Sequence, residues 1–253
     1  MTVLLITDSF PPEVRSAAEL MRDLARELVV RGHRVVVATS WPRHNSDSTT
    51  GFEELKSVMD EDGVRVIRAR SPAHHNVGRV RRGLAELALR RVLWRAIREH
   101  VSPPIDSVLV YSPPLPLALI GARVSSTYSA QFVLNVQDLF PQNAIDLGIL
   151  RSRLLIRFFS AMERRAYRSA QTIVVHSPGN RDVIERNKYL PREKVHVIPN
   201  WIDVERFLSR RGTYRTLFGL NDRFVVLFAG VIGPSQGLHL VICLLYTSDA
   251  ADE

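Results

Sequence analysis

Short apolar runs alternate with stretches of helical periodicity along most of the chain, and this alternation restricts the fold more than any other feature. Residues 3–7 form an apolar run that suits a buried parallel strand. Apolar residues then recur at helical spacing, at Ala17, Leu20, Met21, Leu24 and Leu28. Gly32 stands where glycine commonly ends a helix, and residues 34–39 resemble a second strand. Together these elements predict a βαβ unit.

The same alternation continues to about residue 200. Further strands are predicted at residues 64–68, 107–111, 131–136, 171–176 and 194–198, and helices at 78–100, 151–169 and 180–187. Residues 41–62 are polar and rich in turn formers, which predicts a loop. This rhythm predicts an α/β fold, a Rossmann-like doubly wound parallel sheet. An apolar run at residues 224–228, followed by a glycine-rich turn, predicts the first strand of a second Rossmann-like domain.

The loops after the predicted strands are the expected functional positions, because open parallel sheets bind ligands at the carboxyl ends of their strands. Five such loops have the sequences DSFPPE, YSPPLP, QDLFPQ, HSPGN and IPNWID. They are rich in proline, serine, asparagine and acidic residues. The loop after the first strand contains no glycine. This argues against an NAD- or FAD-binding oxidoreductase, which would carry G-x-G-x-x-G there.

Charge and cysteine content bear on the remaining classes. The formal net charge is +8, which suits a nucleic-acid-binding protein, but no motif spacing or aromatic cluster of that class accompanies it. Cys243 is the single cysteine, so we expect neither a disulfide framework nor a thiolate metal site. No stretch reaches the roughly 18 apolar residues of a membrane span, and the first residues lack the basic segment of a signal peptide. We expect a cytoplasmic protein, at most peripheral at the inner face of the plasma membrane, without a nucleic-acid partner.

A set of seven segments carries a resemblance to a known family. In order they are LLITDSFPPE, LARELVVRGHRVVVAT, YSPPL, VQDLFPQNAIDLGIL, HSPG, EKVHVIPNWID and FAGVIGPSQGL. As an ordered set they resemble the GT-B glycosyltransferases of family 4, in particular the WbuB-like subfamily. The resemblance covers residues 2–242. Enzymes of that subfamily build bacterial surface polysaccharides such as O-antigen, capsule and colanic acid.

The resemblance implies two Rossmann-like domains that face a cleft. The acceptor-side domain is expected over residues 1–200, and an interdomain linker over 201–222. The start of a domain that binds a nucleotide-diphosphate sugar is expected over 223–242. Transfer in the family retains the anomeric configuration and needs neither a metal nor a cofactor. The implied partners are a nucleotide sugar and a glycan acceptor carried on a polyprenyl lipid.

Asp138, just after the strand at 131–136, is the catalytic candidate. By resemblance it faces the cleft, where a carboxylate orients or deprotonates the attacking hydroxyl. An alternative interpretation is that Asp138 only caps the turn before Pro141, a role that aspartate favours.

Four further candidates lie at strand ends. The resemblance implies acceptor-side roles for Glu13, Ser112 and His176, and an interdomain role for Asn200. Alternatively, Ser112, His176 and Asn200 only form hydrogen bonds within their loops. For Glu13 the alternative is a place at the start of the first helix, where an acid suits the helix dipole.

The glycine-rich turn supplies the donor-side candidates, Gly230, Gly233, Gln236 and Gly237. Glycine permits close backbone approach, and the N–H groups at a helix start favour phosphate. The alternative is a tight strand-to-helix turn that needs glycine only for packing. Gln236 occupies a position where many family members carry a basic residue, so it adds a hydrogen bond without a charge.

Arginines dominate the helix predicted at 78–100, between Arg79 and Arg98. Its apolar face is predicted from Val80, Leu84, Leu87 and Ala88, with Trp94 near the border. A basic amphipathic helix of this kind binds anionic membranes, which suits a lipid-linked acceptor. The alternative is an ordinary helix with a solvated basic face.

The final segment, from Cys243 to Glu253, reads CLLYTSDAADE. It resembles the translation of a transposase-end sequencing adapter, so we expect the natural sequence to extend only to about Ile242. A chain without the rest of the donor domain is expected to be inactive on its own. The alternative is a natural apolar helix with an acidic end.

Overall fold

A sheet of eight strands forms the centre of the described structure, and seven of these strands are parallel. The computed structural model describes residues 1–42, 55–70, 79–188, 190–205, 213–230, 232–233 and 236–249. The strands are Thr2–Ile6 (β1), Arg34–Ser40 (β2), Val58–Glu61 (β3), Val64–Ala69 (β4), Ser107–Ser112 (β5), Gln131–Val136 (β6), Thr172–Val175 (β7) and Val195–Val197 (β8). The predicted α/β fold with a Rossmann-like parallel sheet is confirmed.

Of the helices in the described structure, six lie between strands of the sheet, and two more follow the last strand. They are Ser16–Val30 (α1), Arg79–His100 (α2), Ala118–Tyr128 (α3), Gln142–Asp146 (α4), Arg153–Ser169 (α5), Pro178–Lys188 (α6), Tyr214–Leu217 (α7) and Leu238–Asp249 (α8). Single 3-10 turns lie at Leu115–Leu117 and Arg192–Lys194. Up to β8, each predicted helix and strand is present within a few residues of its expected bounds.

The strand order reverses near the centre of the sheet. The order is β3-β4-β2-β1-β5-β6-β7-β8. Leu4 of β1 is aligned with Val36 of β2 on one side and with Val108 of β5 on the other. The chain therefore builds outwards from β1 in one direction and then, from β5, in the other. Such a reversal leaves a crevice at the carboxyl ends of the two strands concerned.

The core occupies both faces of the sheet. Every residue of β1 is buried, as expected for a central parallel strand covered on both sides. The α1 side chains Ala17, Met21 and Ala25 pack on one face. Helices α2, α3 and α5 pack on the other, where Phe132 and Tyr167 are among the largest fully buried side chains.

One strand lies inside the predicted loop. Residues 58–61 form β3, which pairs antiparallel with β4 in the register Val58 to Ile67 and Glu61 to Val64. The segment VMDE has no run of apolar residues, because an edge strand needs only partial burial. The prediction of a loop throughout residues 41–62 is therefore wrong for these four residues; residues 43–54 lie outside the described part.

The apolar face of α2 differs from the predicted one. The buried side chains are those of Ala85, Leu89, Leu93, Trp94 and Ile97. Leu87 and Ala88 are only half-buried, and the side chains of Val80 and Leu84 lie outside the described ones. Trp94 is thus a core residue and not a border residue. Arginines lie beside both the predicted and the observed apolar face, so the sequence did not show which side of the helix is buried.

Residues 224–228 do not form the predicted strand. They have no regular secondary structure, and Phe224 and Leu227 are 95% and 83% exposed. A strand needs a neighbour that pairs its backbone groups, and among the described residues the sheet ends at β8. The domain boundaries at residues 200 and 223 stay predictions. So does the adapter origin of residues 243–253, although residues up to Asp249 form part of α8.

Gly121 of α3 provides a test of the packing between helix and sheet. A Cβ atom added there would lie 2.5 Å from side-chain atoms of both Phe132 and Val110. We expect Gly121→Val to lower the free energy of unfolding by about 2–3 kcal/mol through overpacking, measured by urea denaturation. Gly179, with nothing within 4 Å of such a Cβ, is the control, and Gly179→Val should change it by less than about 0.5 kcal/mol. Equal effects of the two substitutions would contradict this packing.

Candidate functional site

The crevice at the carboxyl ends of β1, β5 and β6 contains two of the predicted site residues, Ser112 and Asp138, together with Asp8 and Tyr111. Asp8 follows β1, Tyr111 and Ser112 end β5, and Asp138 follows β6. The chain leaves β1 towards α1 on one face of the sheet and leaves β5 towards α3 on the other, so the crevice lies between these two connections. Parallel alignment of β1, β5 and β6 brings their loops to one edge.

An ion pair lies at the end of β1. Arg15 Nη1 is 3.2 Å from Asp8 Oδ2, and the Asp8 side chain is 6% exposed while that of Arg15 is 32% exposed. The Ser40 hydroxyl donates to the Asp8 backbone oxygen at 2.5 Å, which ties this loop to β2. A nearly buried carboxylate needs such partners, because an unpaired buried charge is very costly.

Tyr111 is the group whose protonation is most clearly displaced at this edge. Burial, the largest cause, and the negative charges of Asp8 and Asp138 together raise the pKa of its hydroxyl to about 12, while Arg15 acts in the opposite direction. The hydroxyl therefore stays protonated at neutral pH. It is a neutral hydrogen-bond donor near two carboxylates.

The loop after β1 is held by a buried arginine from β4. Arg68 Nη2 donates to the Pro11 backbone oxygen at 2.8 Å and to Glu61 Oε2 at 3.0 Å, and Nη1 donates to Glu61 Oε1 at 2.5 Å. The Arg68 side chain is 1% exposed. Glu13 is buried in the same loop, and its N–H donates to the Phe10 oxygen at 3.2 Å. Glu13 precedes the first residue of α1 by three positions, outside the helix.

Asp138 is exposed at the edge of the sheet. Its backbone oxygen accepts the Phe140 N–H at 2.9 Å. Helix α4 begins after Pro141 without a side-chain cap, so the alternative of a capping aspartate is not supported. Among the described residues, no side-chain hydrogen bond holds the Asp138 carboxylate. It is available to a ligand in the crevice, and its catalytic role stays a prediction.

Ser112 ends β5 and His176 follows β7, two strands that are separated by β6, and their surroundings differ. Ser112 is buried, and its backbone oxygen accepts the Gln137 N–H at 2.9 Å. His176 is half-buried, and its Nδ1 is a buried atom without a hydrogen-bond partner in the described structure. Buried polar atoms are normally satisfied. Of these two residues, His176 is therefore the one with a buried polar atom that has no hydrogen-bond partner in the described structure.

Asn200 belongs to a network that holds the segment after β8. Gln137 Nε2 donates to Asn200 Oδ1 and Asn200 Nδ2 donates to Gln137 Oε1, both at 2.9 Å. The next residue, Trp201, donates from Nε1 to the Leu20 oxygen of α1 at 2.9 Å. The chain after β8 is thus bonded to the end of β6 and to α1. This geometry agrees with a role for Asn200 in shaping the connection.

The described glycines of the glycine-rich turn have side chains of their own segment as nearest neighbours. A Cβ atom added at Gly230, Gly233 or Gly237 would lie nearest to Phe228, Gln236 or Leu240, respectively. Gly237 has φ of +60° and directly precedes α8, so glycine is conformationally required at this position. Gln236 donates its N–H to the Gly233 oxygen at 3.1 Å. The phosphate-binding role of the turn stays a prediction.

Sequence reasoning missed several residues at this edge. Asp8 and Tyr111 were parts of the DSFPPE and YSPPLP segments but were not singled out, and Gln137 and Arg68 were not considered. Tyr111 lies in an apolar strand run, where a tyrosine resembles an ordinary core residue. The contacts of Arg68 depend on β3, which the sequence did not reveal.

No helix among the described residues combines the length and the apolar character of a membrane span. No group of three or more His, Cys, Asp or Glu side chains among them is arranged to hold a metal ion.

Comparison with known proteins identifies relatives of this chain. The profile of the glycosyl transferase 4-like domain matches residues 17–201. An alpha-D-kanosaminyltransferase of Streptomyces kanamyceticus is 32% identical over 85 residues, which are 32% of this chain and 22% of that protein. HepE of Anabaena, solved in complex with UDP and glucose, superposes with a TM-score of 0.61 at 18% identity, over 97% of this chain and 57% of HepE.

A sucrose-phosphate synthase structure from Thermosynechococcus elongatus superposes with a TM-score of 0.51 at 15% identity, over 86% of this chain and 99% of that one. At these identities the superpositions establish the fold alone. The chain spans little more than half the length of HepE and about a fifth of the curated relative.

The electrostatic coupling within the crevice can be measured. Because the Asp138 carboxylate raises the pKa of Tyr111, we expect Asp138→Asn to lower that pKa from about 12 towards its ordinary value of 10.0. Absorbance at 295 nm during alkaline titration follows the ionisation, and Tyr111→Phe identifies the transition.

Asp146→Asn is the matched control for this titration. Asp146 lies on α4 and accepts a hydrogen bond from Gln142, and it is not among the charges that shift Tyr111. Its replacement should leave the Tyr111 transition in place. A Tyr111 transition that is insensitive to Asp138→Asn would contradict the proposed geometry.

Proposed function

The chain belongs to the glycosyl transferase 4-like domain family, and we propose that it forms the acceptor side of a retaining glycosyltransferase. The donor would be a nucleotide-diphosphate sugar, as the UDP and glucose bound to the related HepE suggest. One observation carries the proposal. Asp8 and Asp138 lie close enough to the neutral hydroxyl of Tyr111 for their charges to raise its pKa, at the strand ends beside the switch point of the sheet, where such folds bind ligands.

The proposed roles in the crevice follow from the chemistry of the groups. Asp138 orients or deprotonates the attacking acceptor hydroxyl. The Tyr111 hydroxyl, protonated because its pKa is about 12, donates a hydrogen bond to the acceptor. His176, with its unused Nδ1, and Ser112 and Glu13 line the acceptor side. We assign no metal or cofactor to the reaction.

On the donor side, we propose that the turn around Gly230, Gly233, Gln236 and Gly237 approaches the diphosphate. The positive φ of Gly237 immediately before α8 supports this, since exposed N–H groups at such a turn favour phosphate.

For the acceptor, we propose a glycan carried on a polyprenyl lipid, in the synthesis of a bacterial surface polysaccharide. The exposed arginines of α2, among them Arg91, Arg95 and Arg98, would place the protein on the anionic inner face of the plasma membrane.

A second candidate function is a basic Rossmann-like domain that binds nucleic acid or an anionic membrane without catalysis. The net charge of +8 favours it. It predicts no sugar transfer and no dependence of any activity on Asp138, so the turnover test separates the two functions.

We expect Asp138→Asn to lower sugar-transfer turnover about 100-fold or more in the full-length protein, since general acid–base groups contribute roughly 10²–10⁴-fold. Transfer from nucleotide-diphosphate sugars to a polyprenyl-linked acceptor is followed by radiolabel. Asp146→Asn, which removes an equal charge from exposed α4, should retain near-normal turnover. Unchanged turnover in Asp138→Asn would remove the assigned role.

Membrane contact is tested separately by flotation with vesicles. We expect the protein to float with vesicles that contain phosphatidylglycerol and to remain behind with phosphatidylcholine alone. Raised salt should release it, because ions screen exposed charges. Flotation that is independent of the anionic lipid would contradict the proposed membrane contact but not the transferase proposal.

A further inference from the structure

A groove runs between α2, α3 and α5 on the side of these helices that faces away from the sheet. Two adjoining cavities of about 650 and 640 Å³ form it, and they share Arg90, Arg91, Leu119 and Arg165 in their linings. We call it the arginine groove. No residue of its lining belongs to the crevice at the strand ends, so it is a separate site.

The arginine groove is strongly cationic. Five arginines from three helices line it, namely Arg90, Arg91 and Arg95 of α2, Arg123 of α3 and Arg165 of α5. No aspartate or glutamate stands in the lining. The Arg123 guanidinium lies 4.3 Å from the centre of the Trp94 ring, which fixes its position. Like charges that line one groove repel one another, and an anion in the groove would relieve the repulsion.

One wall of the groove is apolar. Leu87, Leu119, Met162 and Phe158 line the second cavity beside the shared arginines. Phe158 is 48% exposed, and Leu154, one turn earlier on α5, is 80% exposed. Apolar side chains left in water beside a basic cluster are typical of surfaces that enter the interfacial region of a membrane.

We propose that the arginine groove binds the phosphate head group of an anionic membrane lipid, with the start of its hydrocarbon chain against Leu119 and Phe158. The guanidiniums pair with phosphate oxygens in the fork geometry that arginine provides. The apolar wall accounts for a hydrocarbon portion that neither free phosphate nor nucleic acid possesses. The inference rests on the proposed membrane contact and not on the transferase reaction, and it replaces a contact through α2 alone with a three-helix site.

Arg91→Gln/Arg165→Gln tests the groove, because these exposed residues come from different helices and line both cavities. We expect this double variant to bind vesicles containing phosphatidylglycerol about 30-fold more weakly than the unaltered protein. The reason is that it lacks two basic residues, each of which contributes binding free energy near an anionic surface. The control is Arg31→Gln/Arg34→Gln, which removes the same charge from exposed positions at the end of α1 and the start of β2. The control should weaken vesicle binding only slightly. Equal losses of vesicle binding in the two double variants would overturn the proposal that the groove binds lipid.

Phe158→Ser tests the lipid assignment against other polyanions. We expect weaker binding to the anionic vesicles but unchanged binding to duplex DNA, while Val30→Ser at the exposed end of α1 changes neither. Duplex binding as tight as vesicle binding, with no effect of Phe158→Ser on either, would overturn the lipid assignment.

The outcomes distinguish this inference from the proposed function. Absence of binding to anionic vesicles by the unaltered protein would remove both the membrane contact and the groove. Vesicle binding that is unaffected by Arg91→Gln/Arg165→Gln would contradict the groove proposal but not the membrane contact. Neither result would bear on the proposed sugar transfer.

Discussion

The burial of β1 on both faces is the constraint on which the rest of the structure depends. Residues 2–6 are fully covered, with α1 on one side and α2, α3 and α5 on the other. Because the first strand of the chain is also a central strand, the sheet must grow from it in two directions. The switch point between β1 and β5, and with it the crevice that carries Asp8 and Tyr111, follows from this placement.

The crevice and the arginine groove carry side chains of different charge and polarity. At the strand ends, carboxylates and a protonated phenol suit the handling of a neutral hydroxyl, and Arg68 and Asn200 hold the loops around them. The groove on the outer side of the helices instead offers unopposed positive charge beside an apolar wall. A protein held to a lipid surface through one region would keep the other accessible to a lipid-linked acceptor.

The sequence predicted the strands that are buried on both faces and did not reveal elements that depend on partial burial. The apolar run of β1 is unmistakable, whereas β3, with the sequence VMDE, becomes a strand only by pairing with β4. Conversely, residues 224–228 carry the apolar pattern of a strand, but four of the five are exposed and none pairs with a strand of the described structure. Of the site, the loops were predictable from topology. The side-chain contacts, such as that of Arg68 with Pro11, depend on residues 57 positions apart.

Hydrogen–deuterium exchange tests most directly the claim that the crevice at the strand ends is the acceptor site. The full-length protein is compared with and without a polyprenyl-diphosphate-linked sugar, and slowed exchange marks backbone that the ligand covers or orders. The predicted result is slowed exchange in the loops after β1, β5 and β6. Slowed exchange confined to the amino ends of the strands, with these three loops unchanged, would contradict the account.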